Sequence, residues 1–342
     1  VTNPVSLRLG KFSRQYRSGV MSRLAITVLL VLLIALLSLS SGKVTMSPIH
    51  TLQLVLSQPD TAEGFIVNQL RLPRVALAFL IGAGLSLAGL LLQNVVRNPL
   101  ASPDMMGISA GASAAAVLWL AFFGATLSQW LPLAAMAGAS LAVALVFLLS
   151  WRKGLTPLRL VLTGVGVSAL AGAIVTLALV FSPLTTTLSA YVWLTGSVYG
   201  ATWEKVRLLA VVALLALPLL IFIARRVVYL QLSEGLATGI GVRLDSSRLL
   251  VLLSCVILAG AAIAAGGAMA FVGLVAPQIA RLLVRHGFVV QAWLAAFIGA
   301  GIIMLADIAA RMLLPPADLP AGIFVAAFGA PFFLWLLIKQ RA

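Results

Sequence analysis

Long apolar runs recur along the whole chain, separated by short polar stretches rich in glycine, proline and basic residues. Set against the turn signals between them, these runs predict ten membrane-crossing helices. They lie at about residues 24–40, 75–95, 107–124, 131–150, 158–181, 204–223, 249–267, 270–285, 290–310 and 322–338. Most reach or approach the ~20 residues a helix needs to cross the hydrocarbon core of a bilayer. The eighth, "AFVGLVAPQIARLLV", is short and contains Pro277. The stretch after the fifth, "SPLTTTLSAYVWLTGSVYGATW", is too polar to span and is expected to form a short helix lying outside.

Composition agrees with that pattern. Of 342 residues, 62% are hydrophobic and 9% charged, with mean hydropathy +1.14, whereas a soluble domain carries about a quarter of its residues charged. The predicted fold class is therefore an all-α polytopic membrane protein of about ten transmembrane helices. The net charge of +15 does not point to nucleic acid, because the basic residues form short clusters between apolar runs and no continuous basic face. Such clusters orient helices by the positive-inside rule. With the N-terminus inside, 17 of the 23 basic residues fall on the inner side. The outer six are Lys43, Arg71, Arg74, Lys205, Arg207 and Arg311.

Both chain ends are thus expected in the cytoplasm. Residues 1–23 form a basic cytoplasmic segment, and residues 24–342 a single transmembrane domain with a cytoplasmic segment near 230–248. The basic start followed by "LAITVLLVLLIALLSLSSG" imitates a signal peptide, but its apolar part is long for one and reads as a signal-anchor. Val1 and Met21 both stay open as the true first residue. Cys255 lies alone inside an apolar run, so no intrachain disulfide is expected.

Little chemistry is visible. "GKF" at Gly10 and "GKV" at Gly42 lack the glycine spacing and the following Ser/Thr of a Walker A loop, so the chain is expected to hydrolyse no nucleotide and to be no enzyme. His50 and His286 are isolated, and no metal site is expected from them. Of eight acids only Asp307 lies within a span. Arg311 follows four residues later, the spacing of a pair on one helix face. A local ion pair and an Asp307 that orients Arg311 for an external partner are compatible readings. A proton-coupled carrier would need more intramembrane acids than this.

A pore-former without an energy source needs a partner. The inner segment "RRVVYLQLSEGLATGIGVRLDSSR" contains "LSEGLATGIGV", which reads as one short helix. Ser233 is placed to cap it, Glu234 suits its positive end, and Gly239 and Gly241 can end it. An interfacial turn with no partner is the alternative. Gly266, Gly267, Gly273 and Pro277 form either a hinge or gate, or a packing kink. Small-residue stretches such as "IGAGLSLAG" and "ISAGAS" allow close helix approach. "IGAG" recurs at residues 81–84 and 298–301, though such strings recur by chance in this composition.

Taken together and in order, "RLPR", "LIGAGLSLAGLLLQNVVRNPLASPDMMGISAGA", "GLATGIGV", "AMAFVGLVAPQIARLL" and "LADIAARMLLPPADLPAGIFVAAFGAPFFLWLL" resemble the iron-siderophore/vitamin B12 permease family of ABC importers, the FecCD type. The resemblance covers essentially everything after residue 40, and the basic extension before residue 24 is less typical. It implies a type II ABC importer permease fold in the bacterial cytoplasmic (inner) membrane. It also implies a second permease subunit, identical or paralogous, a cytoplasmic ATPase dimer that holds the ATP, and a periplasmic or lipid-anchored binding protein. No cofactor is expected on this chain.

By the same resemblance, Arg71, Arg74 and Arg311 match outward arginines that meet acidic side chains of the binding protein. Glu234, Gly235, Ala237, Gly239 and Gly241 match the helix that couples to the ATPase, with Asn98 and Pro99 of "NPLASPD" in the inner turn beside it. The implied cargo is a ferric siderophore, with cobalamin or haem as alternatives. A proton-coupled secondary transporter and a membrane anchor are the readings outside the family.

Overall fold

The computed structural model describes residues 4–9, 12–42, 44–124, 127–151, 156–285, 287–313 and 318–341; Gly10, Lys43 and His286 lie outside them. An antiparallel hairpin of β1 (Pro4–Leu9) and β2 (Phe12–Arg17) comes first, with Pro4 opposite Arg17. Next is α1 (Ser18–Ser40), which starts before the predicted residue 24, and then α2 (Pro48–Ser57). α3 (Ala62–Phe65) continues through a π-helical turn at Ile66–Arg71 into α4 (Leu72–Val96), so that Ala62–Val96 forms one rod. A 3-10 turn at Pro103–Met106 leads into α5 (Ile108–Phe123). α6 (Leu131–Ser150), α7 (Pro157–Val180), α8 (Leu184–Thr195) and α9 (Trp203–Leu230) follow. The chain closes with α10 (Glu234–Gly239), α11 (Leu244–Gly266), α12 (Val272–Leu283), α13 (Phe288–Met312) and α14 (Ala321–Arg341).

Every predicted span is a helix. Eight of these are long and apolar enough to cross a membrane, and the two others, α5 and α12, are shorter. At ~1.5 Å rise per residue α12 extends only about 18 Å, against a hydrocarbon core of ~30 Å. α9 runs to Leu230, beyond the predicted end. Arginine is a good helix former, and Arg225 and Arg226 can extend from a helix end toward polar surroundings while it continues. The polar stretch after the fifth span does form a helix, α8, and its end is built into the bundle. Ala190 is fully buried, Ser197 N–H donates to the Gly266 carbonyl at 2.7 Å, and Gly322 N–H donates to the Gly196 carbonyl at 3.0 Å. α11 and α14 thereby hold the chain that leaves α8.

α4 is the centre of the bundle, packed against α9, α11, α12 and α13. Lipid tails are as apolar as leucine, so helices in a membrane associate through close packing and not through a hydrophobic drive between them. The recurring "IGAG" strings supply that packing. Gly82 of α4 lies so close to α13 that a Cβ there would overlap the Gly299 carbonyl, and a Cβ on Gly299 would overlap Ser86 Oγ. The Ser86 hydroxyl donates to the Gly82 carbonyl at 2.7 Å, which satisfies it within its own helix.

Overpacking a close contact of this kind costs about 1–3 kcal/mol. Gly299→Leu is therefore expected to lower the melting temperature of the detergent-solubilised chain clearly. Gly166→Leu, at a position whose Cβ meets nothing within 4 Å, should leave it nearly unchanged. Equal effects from both would show that the α4–α13 approach does not set stability.

Candidate functional site: the two ends of the central helix

At one end of α4 the three sequence-predicted arginines lie near one another, all with their guanidinium groups turned inward. Arg71 is 7% exposed. It donates to the Leu39 carbonyl at 2.7 Å and to the Val44 carbonyl. The last carbonyls of a helix have no intrahelical donor, and a cation there is favoured by the helix dipole. Arg71 therefore caps the end of α1.

Arg74 donates through Nε to Asp307 Oδ1 at 2.9 Å, and its Nη2 lies 2.8 Å from the same oxygen. Asp318 lies 3.9 Å away, and the Tyr199 ring 5.8 Å from the guanidinium carbon. Arg311 Nε reaches Asp307 Oδ2 at 3.1 Å, so the i,i+4 pair expected from the sequence does form. Its other nitrogens donate to the Ser41 carbonyl at 3.1 Å and to Ser38 Oγ at 2.7 Å. One carboxylate thus joins α4 to α13, and Arg311 extends the link to α1. The side chains of Arg74 and Arg311 are only 12% and 9% exposed. Both guanidinium groups are thus engaged within the chain. Sequence reasoning saw Asp307 with Arg311 but not with Arg74, which is 233 positions away.

The opposite end carries α10. Its length and place agree with the sequence reading, but its start does not: Ser233 occupies the N-cap position with extended backbone and makes no side-chain capping bond. The close is as expected. Gly241 has φ +80, its N–H donates to the Thr238 carbonyl at 2.9 Å, and Val242 N–H donates to the Ala237 carbonyl at 3.0 Å. Together these bonds make a Schellman close. Ala237 is fully buried and anchors the helix, while Leu236 and Ile240, one turn apart, are 64% and 61% exposed. Gly235 and Gly239 have open space where a Cβ would stand.

Beside α10 lies the turn after α4. Asn98 Oδ1 accepts from Leu100 N–H at 2.9 Å, and the Pro99 carbonyl accepts from Gln278 Nε2, so the turn is tied to α12. Asp104, which the sequence reading left in this turn without a separate role, accepts a hydrogen bond from Ser109. Burial pushes its carboxyl above the ordinary carboxylate range, and that hydrogen bond partly opposes the shift.

Among the candidate hinge residues, Gly273 packs against Pro103 of the turn after α4, and Pro277 precedes Gln278, which bonds that turn. Gly266 closes α11, and Gly267 (φ +77) fits where a Cβ would overlap the Trp193 carbonyl. Pro277 sits inside an unbroken α12. Its missing N–H leaves the Gly273 carbonyl without an i+4 donor, and that carbonyl faces Gly89 of α4 where a Cβ would stand. The arrangement fits close packing of α12 on α4.

Residues 29–339 match the model of the FecCD transport family. The chain is 57% identical, over 98% of its length and 96% of the relative's, to the achromobactin transport system permease protein CbrC of Dickeya dadantii (strain 3937). It is 38% identical to the iron(3+)-hydroxamate import system permease protein FhuG of Bacillus subtilis (strain 168), over 93% of this chain and 97% of that one. A solved structure of a metal-chelate type ABC transporter in an inward-facing conformation superposes with TM-score 0.83 at 31% identity, covering 93% of this chain and 99% of the other.

Breaking a buried ion pair from one side costs about 3–5 kcal/mol, because the remaining charge is left without a partner. Asp307→Ala is expected to destabilise the chain on that scale, as measured by thermal unfolding in detergent. Adding Arg74→Met and Arg311→Met should recover much of the loss, since the stranded charges are then gone. A fully stable Asp307→Ala chain would show that the cluster is not structural.

Proposed function

The chain belongs to the FecCD transport family, and from that premise we propose that it is the membrane-spanning subunit of an ABC importer that carries a ferric siderophore inward across the bacterial cytoplasmic membrane. The observation that carries the cargo reading is the 57% identity, over nearly the full chain, to a permease named for achromobactin transport. The iron(3+)-hydroxamate import permease FhuG supports the same cargo class.

In this reading the Arg74 end faces outward and the α10 end faces the cytoplasm, with both chain ends inside and residues 1–23 at the cytoplasmic surface. A separate ATPase dimer binds and hydrolyses ATP, and this chain holds no cofactor. A binding protein delivers the chelate from outside, and a second permease subunit completes the pathway. α10 is the ATPase contact, with Glu234, Gly235, Ala237, Gly239 and Gly241 setting its shape and Asn98 and Pro99 forming the turn beside it. Leu236 and Ile240 supply its exposed apolar tips. ATP binding closes the ATPase dimer, α10 is displaced, and the pathway changes the side to which it opens. Gly266, Gly267, Gly273 and Pro277 are the residues about which the backbone would turn.

Docking by Arg71, Arg74 and Arg311 takes a particular form in this arrangement. Each guanidinium already has partners inside the chain. Arg74 and Arg311 are matched by Asp307 and Asp318, and Arg71, which bonds only carbonyls, adds positive charge beside Arg311. Such a field steers an acidic partner and sets its orientation and on-rate more than its final affinity.

The test is uptake of radioiron-labelled ferric achromobactin into proteoliposomes that contain this chain with its ATPase and binding protein. Uptake should vanish when ATP or the binding protein is omitted. Gly241→Pro should abolish uptake in a chain that still folds, because proline fixes φ near −65° and removes the N–H that closes α10. Uptake driven by a proton gradient without the ATPase, or normal uptake in Gly241→Pro, would overturn the reading.

A further inference from the structure

α4 ends at Val96, and the next residue, Arg97, has φ +54. Glycine takes that left-handed conformation freely, whereas an L side chain is disfavoured in it. The contacts of the side chain give a reason for arginine here. Its Nε donates to the Leu230 carbonyl at 2.9 Å and its Nη2 to the Leu232 carbonyl at 2.6 Å. One turn back on α4, Asn94 Oδ1 accepts from Gln231 Nε2 at 2.7 Å, while Asn94 Nδ2 donates to the Leu90 carbonyl at 2.6 Å.

Leu230 is the last residue of α9, and only Ser233 separates Leu232 from the start of α10. Leu230 closes α9, so its carbonyl is one that a helix end leaves without a donor, where a cation is favoured. The root of α10 is thus fastened to α4 by two charged bonds and one amide bond. Within α10, Ala237 is buried, the glycines have open space where a Cβ would stand, and Leu236 and Ile240 are exposed. α4, in turn, is part of the unbroken Ala62–Val96 rod, whose other end holds Arg74 against Asp307.

We propose that Arg97 is the positioning residue that locks α10 to α4, so that a displacement of α10 is carried along α4 to the Arg74–Asp307 cluster. The transmission part rests on α10 being the ATPase contact; the lock itself does not.

Arg97→Gly is the informative variant, because glycine accepts φ +54 and keeps the turn while deleting the guanidinium. Arg97→Lys keeps the charge but not the two-carbonyl reach. Spin labels on Leu236→Cys and Leu282→Cys, both exposed positions, report where α10 stands relative to α12 in the full chain in lipid nanodiscs. Cys255, 1% exposed, stays unlabelled. The expected result is one narrow distance distribution with Arg97 in place, a broad one in Arg97→Gly and an intermediate one in Arg97→Lys.

In proteoliposomes with the ATPase and binding protein, Arg97→Gly should hydrolyse ATP while the radioiron-labelled ferric achromobactin moved per ATP falls severalfold. An unchanged narrow distribution in Arg97→Gly overturns the lock. A broadened distribution with unchanged transport per ATP overturns the transmission. If the wild-type chain binds no ATPase, the importer reading fails instead, and the spin-label comparison still decides the lock.

Discussion

α4 meets α13 at Gly82 and Gly299, and α12 at Gly89 and Gly273, with no room for a side chain at either crossing. Backbone meets backbone there, and any side chain would force the helices apart. In a bilayer this contact matters more than in water, because dispersion and close fit must hold helices that gain nothing by leaving lipid. Pro277 contributes to the second approach: its missing N–H leaves the Gly273 carbonyl free to face Gly89. With its flanks closed by these contacts, α4 is a mostly buried axis against which α9, α11, α12 and α13 pack.

Such an axis has value only if its ends are fixed, and a few inward-turned charges fix them. At one end Asp307 is shared by Arg74 and Arg311, while Arg71 caps α1. At the other, Arg97 caps α9 just ahead of α10. Each of these four arginines donates to at least one main-chain carbonyl or to the Asp307 carboxylate, groups that low-dielectric surroundings leave costly without a donor. The basic residues nearest α4 are therefore joints between helices before they are anything for a partner to meet.

Several features were legible in the sequence for definite reasons. The spans could be read because hydrocarbon leaves a helix few alternatives. The extent of α10 could be read because Gly241 sits where a helix must turn left-handed to close, and the structure gives it φ +80. The Asp307–Arg311 pair could be read because four residues is one helical turn. Other features left only ambiguous local marks. Ser233 has the right type and position for a cap yet makes no capping bond, so residue type alone misled. The repeated "IGAG" strings had no more weight than chance, yet they are the two sides of the α4–α13 contact.

What the sequence by itself determined about this protein was therefore local: which segments are helices, where the short polar helix stops, and which family its motifs belong to. Helix formation and turn chemistry act over a few residues, so their marks lie next to one another on the chain. Only the tertiary structure decided which charges are buried and what they hold. Arg74 meets a carboxylate 233 positions away, and Arg97 meets carbonyls more than 130 positions away. The cost of leaving a buried charge or carbonyl unpaired depends on what surrounds it in space, and that is set only once the helices have packed.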